Sequence, residues 1–397
     1  MVGDIEGTDR QGVGASPTLA CGRGRTTIYR HRLAAAGGVR FEVIAGRNLL
    51  FSAATQRLFE INDTAAYLWR SVEHGLGRDA IRDEMVERGL APEAAENCLD
   101  TAIQEWTQLG LMRSVPGPDC GPGDDAPPIQ DIRVAGVATR IRHAPRLAPY
   151  VAPIFAHLEA AGERPEAMLD VVGDGERVDL FRDGELLSSC SGAEIATVLK
   201  AQILDEVLER GAYAVALHAA ALVRNGRMLL LCGHPGAGKT TLALALVQAG
   251  FGFAGDDLAL LDPQGQVTGV PFSPAVKAGA WKLVVACRPD ILDSPIFRRP
   301  DGMRVRYPPP HGLAPARPHP VGWMVLLDRR AGTDVALMPS DPPSAVRWML
   351  QDAYTRDRRL TTAGFRAIGR SLAQARYHRL TYSSLEDAVG SLDRLCR

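Results

Sequence analysis

The strongest chemical signal in the sequence is a glycine-rich segment, Gly233-His234-Pro235-Gly236-Ala237-Gly238-Lys239-Thr240. It satisfies the pattern G-x-x-x-x-G-K-[ST] at every fixed position. Glycines at these positions let the backbone curl, so that its N–H groups point at phosphate oxygens. We expect Lys239 to reach the β- and γ-phosphates and the Thr240 hydroxyl to ligate Mg²⁺. The segment therefore predicts a site for ATP and Mg²⁺.

The residues on either side predict the elements that hold this loop. Arg227–Cys232 is almost wholly apolar and predicts a buried strand that enters the loop. Thr240–Ala249 predicts a helix whose first turn adds Thr241 to the phosphate-binding residues, and Gly250 ends it. A helix N-terminus that faces the phosphates adds its dipole to the donors of the loop.

A predicted hairpin brings a histidine beside the loop. Tyr213–Val223 predicts a strand, and Asn225-Gly226 is the strongest short signal for a hairpin turn. A two-residue turn sets a register that places His218 opposite Gly233. Three roles are then open to His218: contact with phosphate, orientation of an acidic neighbour, or packing.

Two acidic residues follow the next predicted strand. Phe251–Gly255 predicts a second, parallel strand that ends at Asp256 and Asp257. In a strand–helix–strand unit the carboxyl ends of both strands share one edge of the sheet, so we expect both acids near the phosphate loop. One carboxylate can hold Mg²⁺ and the other can accept the proton of an attacking hydroxyl. The alternative is that one or both cap a turn.

Two other aspartates match the magnesium-binding strand of ordinary P-loop nucleotidases. Asp262 ends the apolar run Leu258–Leu261, and Asp328 ends the run Trp323–Leu327. If Asp328 were the metal ligand, the chain would be a hydrolase or motor. The pair Arg329-Arg330 that follows it is equally typical of a surface turn.

Taken together, these residues resemble the C-terminal catalytic domain of HPr serine kinase/phosphorylase, most clearly over residues 213–262. The chain is also similar to the HPr-kinase-related kinases of bacterial gene clusters, through Pro271–Lys277 and Gly302–Pro308. The resemblance implies an α/β P-loop kinase fold with a small β-rich lobe. It also allows a homo-oligomer, because hexamers are known in that family. It assigns no role to Arg304, and a solvated surface role is the alternative for Arg306.

By position, the resemblance implies that Asp256 is the general base and Asp257 the metal partner. It implies that Lys277 contacts phosphate or substrate, with a solvated surface role as the alternative. The chain departs from the family at Ala219, where HPr kinase has glycine, and at His234-Pro235, where Asp-Ser is more common. It also lacks the signature of the reverse phosphorylase reaction. HPr as the substrate and the phosphorylase activity are therefore not expected.

The N-terminal region predicts a small α+β domain. Phe41–Phe51 and Arg57–Ile61 predict strands of an antiparallel sheet, and Asn62 is placed to cap a first helix. Two more helices are predicted over about 77–88 and 92–109.

This region resembles the PqqD-like recognition domains of peptide-modifying systems, which are winged-helix-like. The resemblance rests on Leu58–Trp69 and on Leu109-Gly110-Leu111. It implies that the leader of a precursor peptide adds a strand at the edge Arg57–Ile61, beside the helix at 92–109. The alternative is a winged-helix-like or purely structural domain that recognises no peptide.

Bulk properties narrow the class of protein. The chain has 397 residues, 46% hydrophobic and 23% charged, and a net charge of −1. The charge gives no reason to expect nucleic acid or an anionic membrane as partner. No apolar run could span a bilayer, no export signal is visible, and the seven cysteines form no C-x-x-C pair, so we expect a cytoplasmic protein.

The domain organisation follows from composition. The predicted parts are a disordered tail (1–27), a PqqD-like domain (28–114), a Pro- and Gly-rich linker (115–128), a β-rich lobe (129–200) and the P-loop catalytic domain (201–397). The leading hypothesis is a kinase that phosphorylates a Ser or Thr hydroxyl of a peptide or small protein bound by the N-terminal domain. The alternatives are a kinase for a small hydroxylated metabolite and a peptide-binding scaffold that hydrolyses ATP without transfer.

Overall fold

The computed structural model describes residues 30–117, 128–160, 162, 164–173, 175–351, 353–354 and 360–397. The chain is a mixed α/β protein with several sheets. The predicted tail (1–27) and residues 118–127 of the predicted linker lie outside the described residues, and the division into domains stays a prediction. Within the described ranges, no helix combines the length and apolar character that a membrane span needs.

The N-terminal part contains two small sheets and three helices in its described residues. Its elements are β1 (Arg30–Ala35), β2 (Val39–Ile44), β3 (Arg47–Ser52), β4 (Arg57–Ile61), α1 (Asp63–Glu73), α2 (Arg78–Glu87), α3 (Pro92–Gln108) and β5 (Met112–Gly117). Strands β2, β3 and β4 form one antiparallel sheet, and β1 pairs with β5. The predicted cap is confirmed, because the Asn62 side chain accepts a hydrogen bond from the Ala65 N–H. Trp69 packs edge to face on Trp106, with ring centroids 5.2 Å apart, and so anchors the core of this part.

One predicted strand of this part is in fact two. The segment Phe41–Phe51 turns back at Ala45 and Gly46, whose φ angles are 50° and 78°. Two successive residues with positive φ make the tight turn that joins antiparallel strands, so β2 and β3 pair along their length. The two later helices were predicted within one or two residues of α2 and α3. The winged-helix-like, PqqD-like character of this part stays a prediction.

A sheet of five strands follows the two small sheets of the N-terminal part. Its region contains β6 (Ile129–Val134), β7 (Val137–His143), α4 (Ala148–Phe155), β8 (Ala167–Gly173), β9 (Val178–Arg182), β10 (Glu185–Cys190) and α5 (Ile195–Arg210). The strand order is β10-β9-β8-β7-β6. The hairpin predicted at Asp183-Gly184 is confirmed, since Arg182 pairs with Glu185. Helix α5 crosses the predicted boundary at residue 200 and packs in one core with this sheet.

The remaining residues build a large mixed sheet with helices on both faces. The elements are β11 (Val215–Leu217), β12 (Ala220–Arg224), β13 (Arg227–Cys232), α6 (Lys239–Gln248), β14 (Gly252–Gly255), β15 (Ala259–Leu261), β16 (Gln266–Gly269), β17 (Val276–Lys277), α7 (Trp281–Val284), β18 (Ile296–Arg298), β19 (Arg304–Arg306), β20 (His319–Arg329), β21 (Ala336–Pro339), α8 (Pro342–Gln351), β22 (Ala353–Tyr354), α9 (Thr362–Leu372), β23 (Arg376–Tyr382) and α10 (Leu385–Leu395). The described strands follow the order β14-β12-β13-β20-β16-β15-β11-β22, with β23 beside β20 and β21 beside β23. Strands β17, β19 and β18 form a separate small sheet.

The central strand β13 shows why both faces of this sheet are covered. Successive side chains of a strand point to opposite faces. Leu229 and Leu231 pack in the core shared with α6 and α10, whereas Met228 and Leu230 pack in the core shared with α8 and α9. The uninterrupted apolar run of this strand therefore reflects burial on both sides.

The predicted hairpin before the phosphate loop is confirmed, but its first strand is interrupted. Ala220 pairs with Leu231 in the expected register. The predicted strand Tyr213–Val223 is two strands, because β11 pairs with β15 and β22 whereas β12 pairs with β13 and β14. His218 consequently lies at the bend between the two strands, and not in a strand pair opposite Gly233.

The strand that precedes the acid pair is observed as β14. It runs in the same direction as β13 but is not its neighbour, because β12 lies between them and is antiparallel to both. The carboxyl ends of β13 and β14 therefore share one edge of the sheet, one strand apart. That edge carries both the phosphate loop and the acid pair.

A buried ion-pair cluster joins the N-terminal part to the five-stranded sheet. Asp170 of β8 is fully buried and accepts hydrogen bonds from Arg32 of β1 and Arg142 of β7, each at 2.7 Å. Beside this cluster, Arg140 donates to the carbonyl of His74. Removal of one charge from such a cluster leaves the others desolvated and uncompensated.

We predict that Asp170→Asn lowers the free energy of unfolding by about 3–5 kcal/mol, because it leaves two buried guanidinium groups without their carboxylate. Urea denaturation measures the change. The matched control is Glu60→Gln, which breaks the exposed ion pair with Arg47 and should change stability little. Equal stability of the Asp170 variant and the wild type would contradict a docking role for this cluster.

Candidate active site

The phosphate loop connects β13 to the first turn of α6. Gly238 directly precedes α6 with a φ of 92°, in the left-handed region that favours glycine. A Cβ at this position would lie 2.6 Å from the Tyr382 hydroxyl oxygen, so only glycine fits. That hydroxyl donates a hydrogen bond to the Ala237 carbonyl at 2.9 Å and supports the loop from β23. The Lys239 ammonium is buried and donates to the Gly233 carbonyl at 2.6 Å.

The acid pair follows the end of β14 with two different environments. Gly255 comes so close to a neighbouring segment that a Cβ would lie 2.5 Å from the Val270 carbonyl oxygen. The next residue, Asp256, is buried, and its Oδ2 accepts a hydrogen bond from the Ala275 N–H at 3.1 Å. The side chain of Asp257 is 58% exposed. The strand end thus directs one carboxylate inward and leaves the other open to solvent.

A buried lysine, Lys200 of α5, completes the site. Its ammonium donates to the Ser273 carbonyl at 2.8 Å and lies 4.5 Å from the ring centroid of Tyr307 and 5.4 Å from that of Phe272. Its charge also acts on Asp256. A buried ammonium requires a compensating negative charge, and the acid pair supplies it.

These three charged groups have displaced pKa values. Burial raises the pKa of Asp256 above its ordinary value, partly offset by the positive charge of Lys200. Burial lowers the pKa of Lys200, partly offset by the two carboxylates. Burial also acts to raise the pKa of Asp257, but the hydrogen bond with His218 and the charge of Lys200 outweigh it, and the pKa falls to about 2. Asp256 is therefore the more basic carboxylate of the pair.

His218 is close to the acid pair. Its Nδ1 lies 3.2 Å from Oδ1 of Asp257. Of the three roles open from the sequence, this geometry matches the orientation of an acidic neighbour. His218 makes this contact from the bend between β11 and β12.

A cavity of about 610 Å³ brings these groups together, and we call it the acidic cavity. Its charged and hydroxyl-bearing lining residues are Thr197, Lys200, His218, His234, Lys239, Thr240, Thr241, Asp256, Asp257, Lys277, Arg299, Tyr307 and Arg329. Pro235, Gly236 and Gly238 of the phosphate loop also line it, whereas Gly233 and Ala237 do not. Cavities of this size suit a small-molecule ligand, and this one joins phosphate-binding donors to a basic carboxylate.

The remaining sequence candidates separate into lining and structural residues. Lys277 is half-buried in β17 and lines the acidic cavity, as the contact role requires. Arg306 instead donates to the carbonyls of Ile291, Leu292 and Ser294 and lies over the ring of Trp281, which gives it a structural role.

The two alternative aspartates lie outside the acidic cavity. Asp262 accepts hydrogen bonds from the N–H groups of Gln264 and Gln266 and so caps a turn. Asp328 is the penultimate residue of β20, beside the phosphate-loop strand, but its carboxylate binds the Arg330 guanidinium at 2.8 and 3.0 Å. That hydrogen-bonded partner lowers the pKa of Asp328. Neither residue faces the acid pair in a shared cavity.

The residues of the acidic cavity fit a magnesium ion bound together with phosphate. Mg²⁺ usually takes one or two carboxylates and completes its shell with phosphate oxygens and water. The Thr240 hydroxyl and both carboxylates line one cavity, and Oδ1 of Asp256 is buried without a hydrogen-bond donor among the described residues. The described part of the chain contains no cluster of three or more His, Cys, Asp and Glu side chains suited to an all-protein metal site.

The N-terminal sheet has the open edge that the sequence predicted. Strand β4 pairs with β3 on one side and with no other strand in the described residues. Leu58 on this strand is 63% exposed, and its cross-strand partner Phe51 is 39% exposed. An exposed edge with apolar side chains can accept an added strand.

Comparison with known proteins finds matches among solved structures only. No family model matches the chain, and no curated protein matches it. Among solved structures, the chain is similar to the Hpr(Ser) kinase/phosphatase from Coxiella burnetii, with 13% identity and a TM-score of 0.23. The match covers 45% of this chain and 90% of that one. At these values the likeness assigns no function to the chain.

Sequence reasoning missed two residues of the site, Lys200 and Tyr382. A signal existed for the first, because Lys200 shares the buried helical face of Ala196, Ile203 and Val207. A lysine on the apolar stripe of a helix needs a buried partner. Tyr382 is the last residue of the mixed polar and apolar strand β23, and nothing in that sequence predicts a contact with the loop.

Proposed function

We propose that this chain is a magnesium-dependent kinase that transfers the γ-phosphoryl group of ATP to a hydroxyl group. The observation that carries the proposal is the position of Asp256. It is a buried carboxylate with a raised pKa, in the same cavity as Lys239 and Thr240 of the phosphate loop. A basic carboxylate at the phosphate end of a P-loop is suited to activate a hydroxyl.

The reaction requires one proton transfer and one exchange of P–O bonds. Asp256 accepts the proton of the acceptor hydroxyl, whose oxygen forms a bond with the γ-phosphorus. The bond between that phosphorus and the β–γ bridging oxygen breaks, and ADP leaves. Lys239 binds the β- and γ-phosphates, and the loop N–H groups neutralise charge as it moves to the leaving group.

Asp257 and Thr240 would hold the magnesium ion. The low pKa of Asp257, about 2, keeps it anionic at all physiological pH values, which suits a metal ligand. The ion supplies charge neutralisation at the phosphates. His218 fixes the orientation of Asp257 through its 3.2 Å contact. In this proposal Asp256 is the base and Asp257 is the magnesium ligand.

The acceptor in this proposal is a Ser or Thr hydroxyl of a peptide or small protein. Its leader adds a strand to β4, so that the N-terminal part tethers it. A weak tether raises the effective concentration of the hydroxyl at the acidic cavity without any new contact there. The buried Arg32–Asp170 pair supports this arrangement, because it fixes the N-terminal part to the sheet that packs against α5.

We predict that Asp256→Asn reduces phosphoryl transfer by about 10³-fold, because the amide cannot accept the hydroxyl proton, whereas ATP binding persists. Transfer of label from γ-labelled ATP measures the rate. Asp262→Asn is the matched control, because Asp262 caps a turn outside the acidic cavity, and it should leave transfer within about twofold. The acid assignment is wrong if Asp328→Asn abolishes transfer and Asp256→Asn does not. Release of labelled phosphate without a labelled acceptor would favour the scaffold that only hydrolyses ATP.

We predict that Leu58→Asp raises the KM for a leader-bearing peptide by about tenfold, because it places a charge on the docking edge, while basal ATP turnover stays unchanged. Ile44→Asp is the matched control. Ile44 is 60% exposed but lies on β2, at the opposite edge of the same sheet. Equal effects of the two substitutions on KM would contradict peptide docking at β4 and would favour a metabolite as the acceptor.

A further inference from the structure

A second cavity lies against the phosphate loop, and neither carboxylate of the acid pair lines it. Its volume is about 670 Å³, and we call it the distal cavity. The end of β20 with the turn after it, and the residue after β23, supply most of its lining, including Asp328, Ala331, Gly332 and Ser383. Strand β20 is the parallel neighbour of β13, so its carboxyl end reaches the same edge as the phosphate loop.

The two cavities share three lining residues: His234, Gly236 and Arg329. The first two belong to the phosphate loop, so the loop forms a wall common to both. Arg329 is exposed and makes no ion pair with any residue that the structure describes. A ligand seated on the loop can therefore extend from one cavity into the other past a positively charged side chain.

We propose that the distal cavity binds the nucleoside of the triphosphate. This inference rests on the proposed kinase function. In a phosphoryl transfer the attacking and leaving oxygens are roughly in line, on opposite sides of the phosphorus. With Asp256 and the acceptor hydroxyl on one side of the γ-phosphorus, the leaving diphosphate extends away from them along the phosphate loop, and the distal cavity at the far end of the loop can take its nucleoside.

The chemistry of the distal cavity suits a nucleoside better than phosphate. Asp328 would repel phosphate, but its oxygens can accept hydrogen bonds from ribose hydroxyls or a base amino group. The Arg330 guanidinium holds this carboxylate in place from the exposed side. Arg329, between the cavities, is positioned for the phosphate nearest the ribose. This assigns a role to an aspartate that the sequence offered as a rival metal ligand or as part of a surface turn.

The test compares MgATP with magnesium tripolyphosphate, which has the phosphates but no nucleoside. In Ala331→Trp the indole fills the distal cavity, so MgATP affinity should fall by about tenfold and tripolyphosphate affinity should stay within about twofold. The matched control is Ala363→Trp, an exposed position that lines neither cavity and should change neither affinity. Retained tripolyphosphate binding also shows that the variant is folded. Unchanged MgATP affinity in Ala331→Trp, or an equal loss for both ligands, would overturn the proposal.

Hydrogen exchange on the unmodified chain gives a second readout that needs no variant. MgATP should protect the backbone amides of 328–332, and tripolyphosphate should protect only those of the phosphate loop. Absence of ATP-dependent protection at 328–332 would overturn the nucleoside site. Lys239→Ala distinguishes the absence of a nucleoside site from failure of the proposed function. The substitution should lower the affinity for both MgATP and magnesium tripolyphosphate. If it lowers neither affinity, the phosphate loop itself is not the binding site.

Discussion

The candidate site depends on the interaction of the buried Lys200 ammonium group with the Ser273 carbonyl and with the charge of Asp256. The lysine side chain extends from α5 to the Ser273 carbonyl, and its charge partly offsets the desolvation of Asp256. The segment that it binds also supplies the Ala275 N–H donated to Asp256. Helix α5, this segment and the end of β14 are therefore tied together through buried polar contacts, each of which would be costly to leave unmade.

The charge compensation between Lys200 and Asp256 brings together distant parts of the chain. The phosphate loop and the acid pair come from one sheet edge, whereas Lys200 comes from a helix that packs against the five-stranded sheet. The same sheet carries Asp170, which anchors the N-terminal part through Arg32. The N-terminal part is thus connected through a buried ion pair to the sheet that packs against the helix bearing Lys200.

Local signals made much of the site predictable from sequence. The loop pattern, the Asn225-Gly226 turn and the acid pair each depend on short-range backbone chemistry, and the sheet edge unites them. The bend at His218 was not predictable, because it arises when β11 and β12 choose different partners in space. The turn at Ala45 was missed for a related reason, since alanine seldom adopts a positive φ and only the pairing of β2 with β3 requires it.

The burial of Asp256 is a feature of the site that the sequence does not predict. The sequence places two adjacent acids at a strand end but does not say which one is buried. The distinction depends on Gly255, the Val270 backbone and Lys200, which come together only in the folded chain. That difference in burial, rather than the motif, separates the proposed base from the proposed metal ligand.

The pH dependence of phosphoryl transfer in the wild type and in Lys200→Met tests the central claim most directly. Asp256 must be deprotonated to act as base, and burial raises its pKa, so the rate should fall with decreasing pH at values above the ordinary aspartate pKa of about 3.9. Loss of the lysine charge raises that pKa further, so the acid limb should move to higher pH by about one unit. Lys277→Met, in the same cavity, should leave the limb in place. An identical acid limb in the wild type and Lys200→Met would contradict the account.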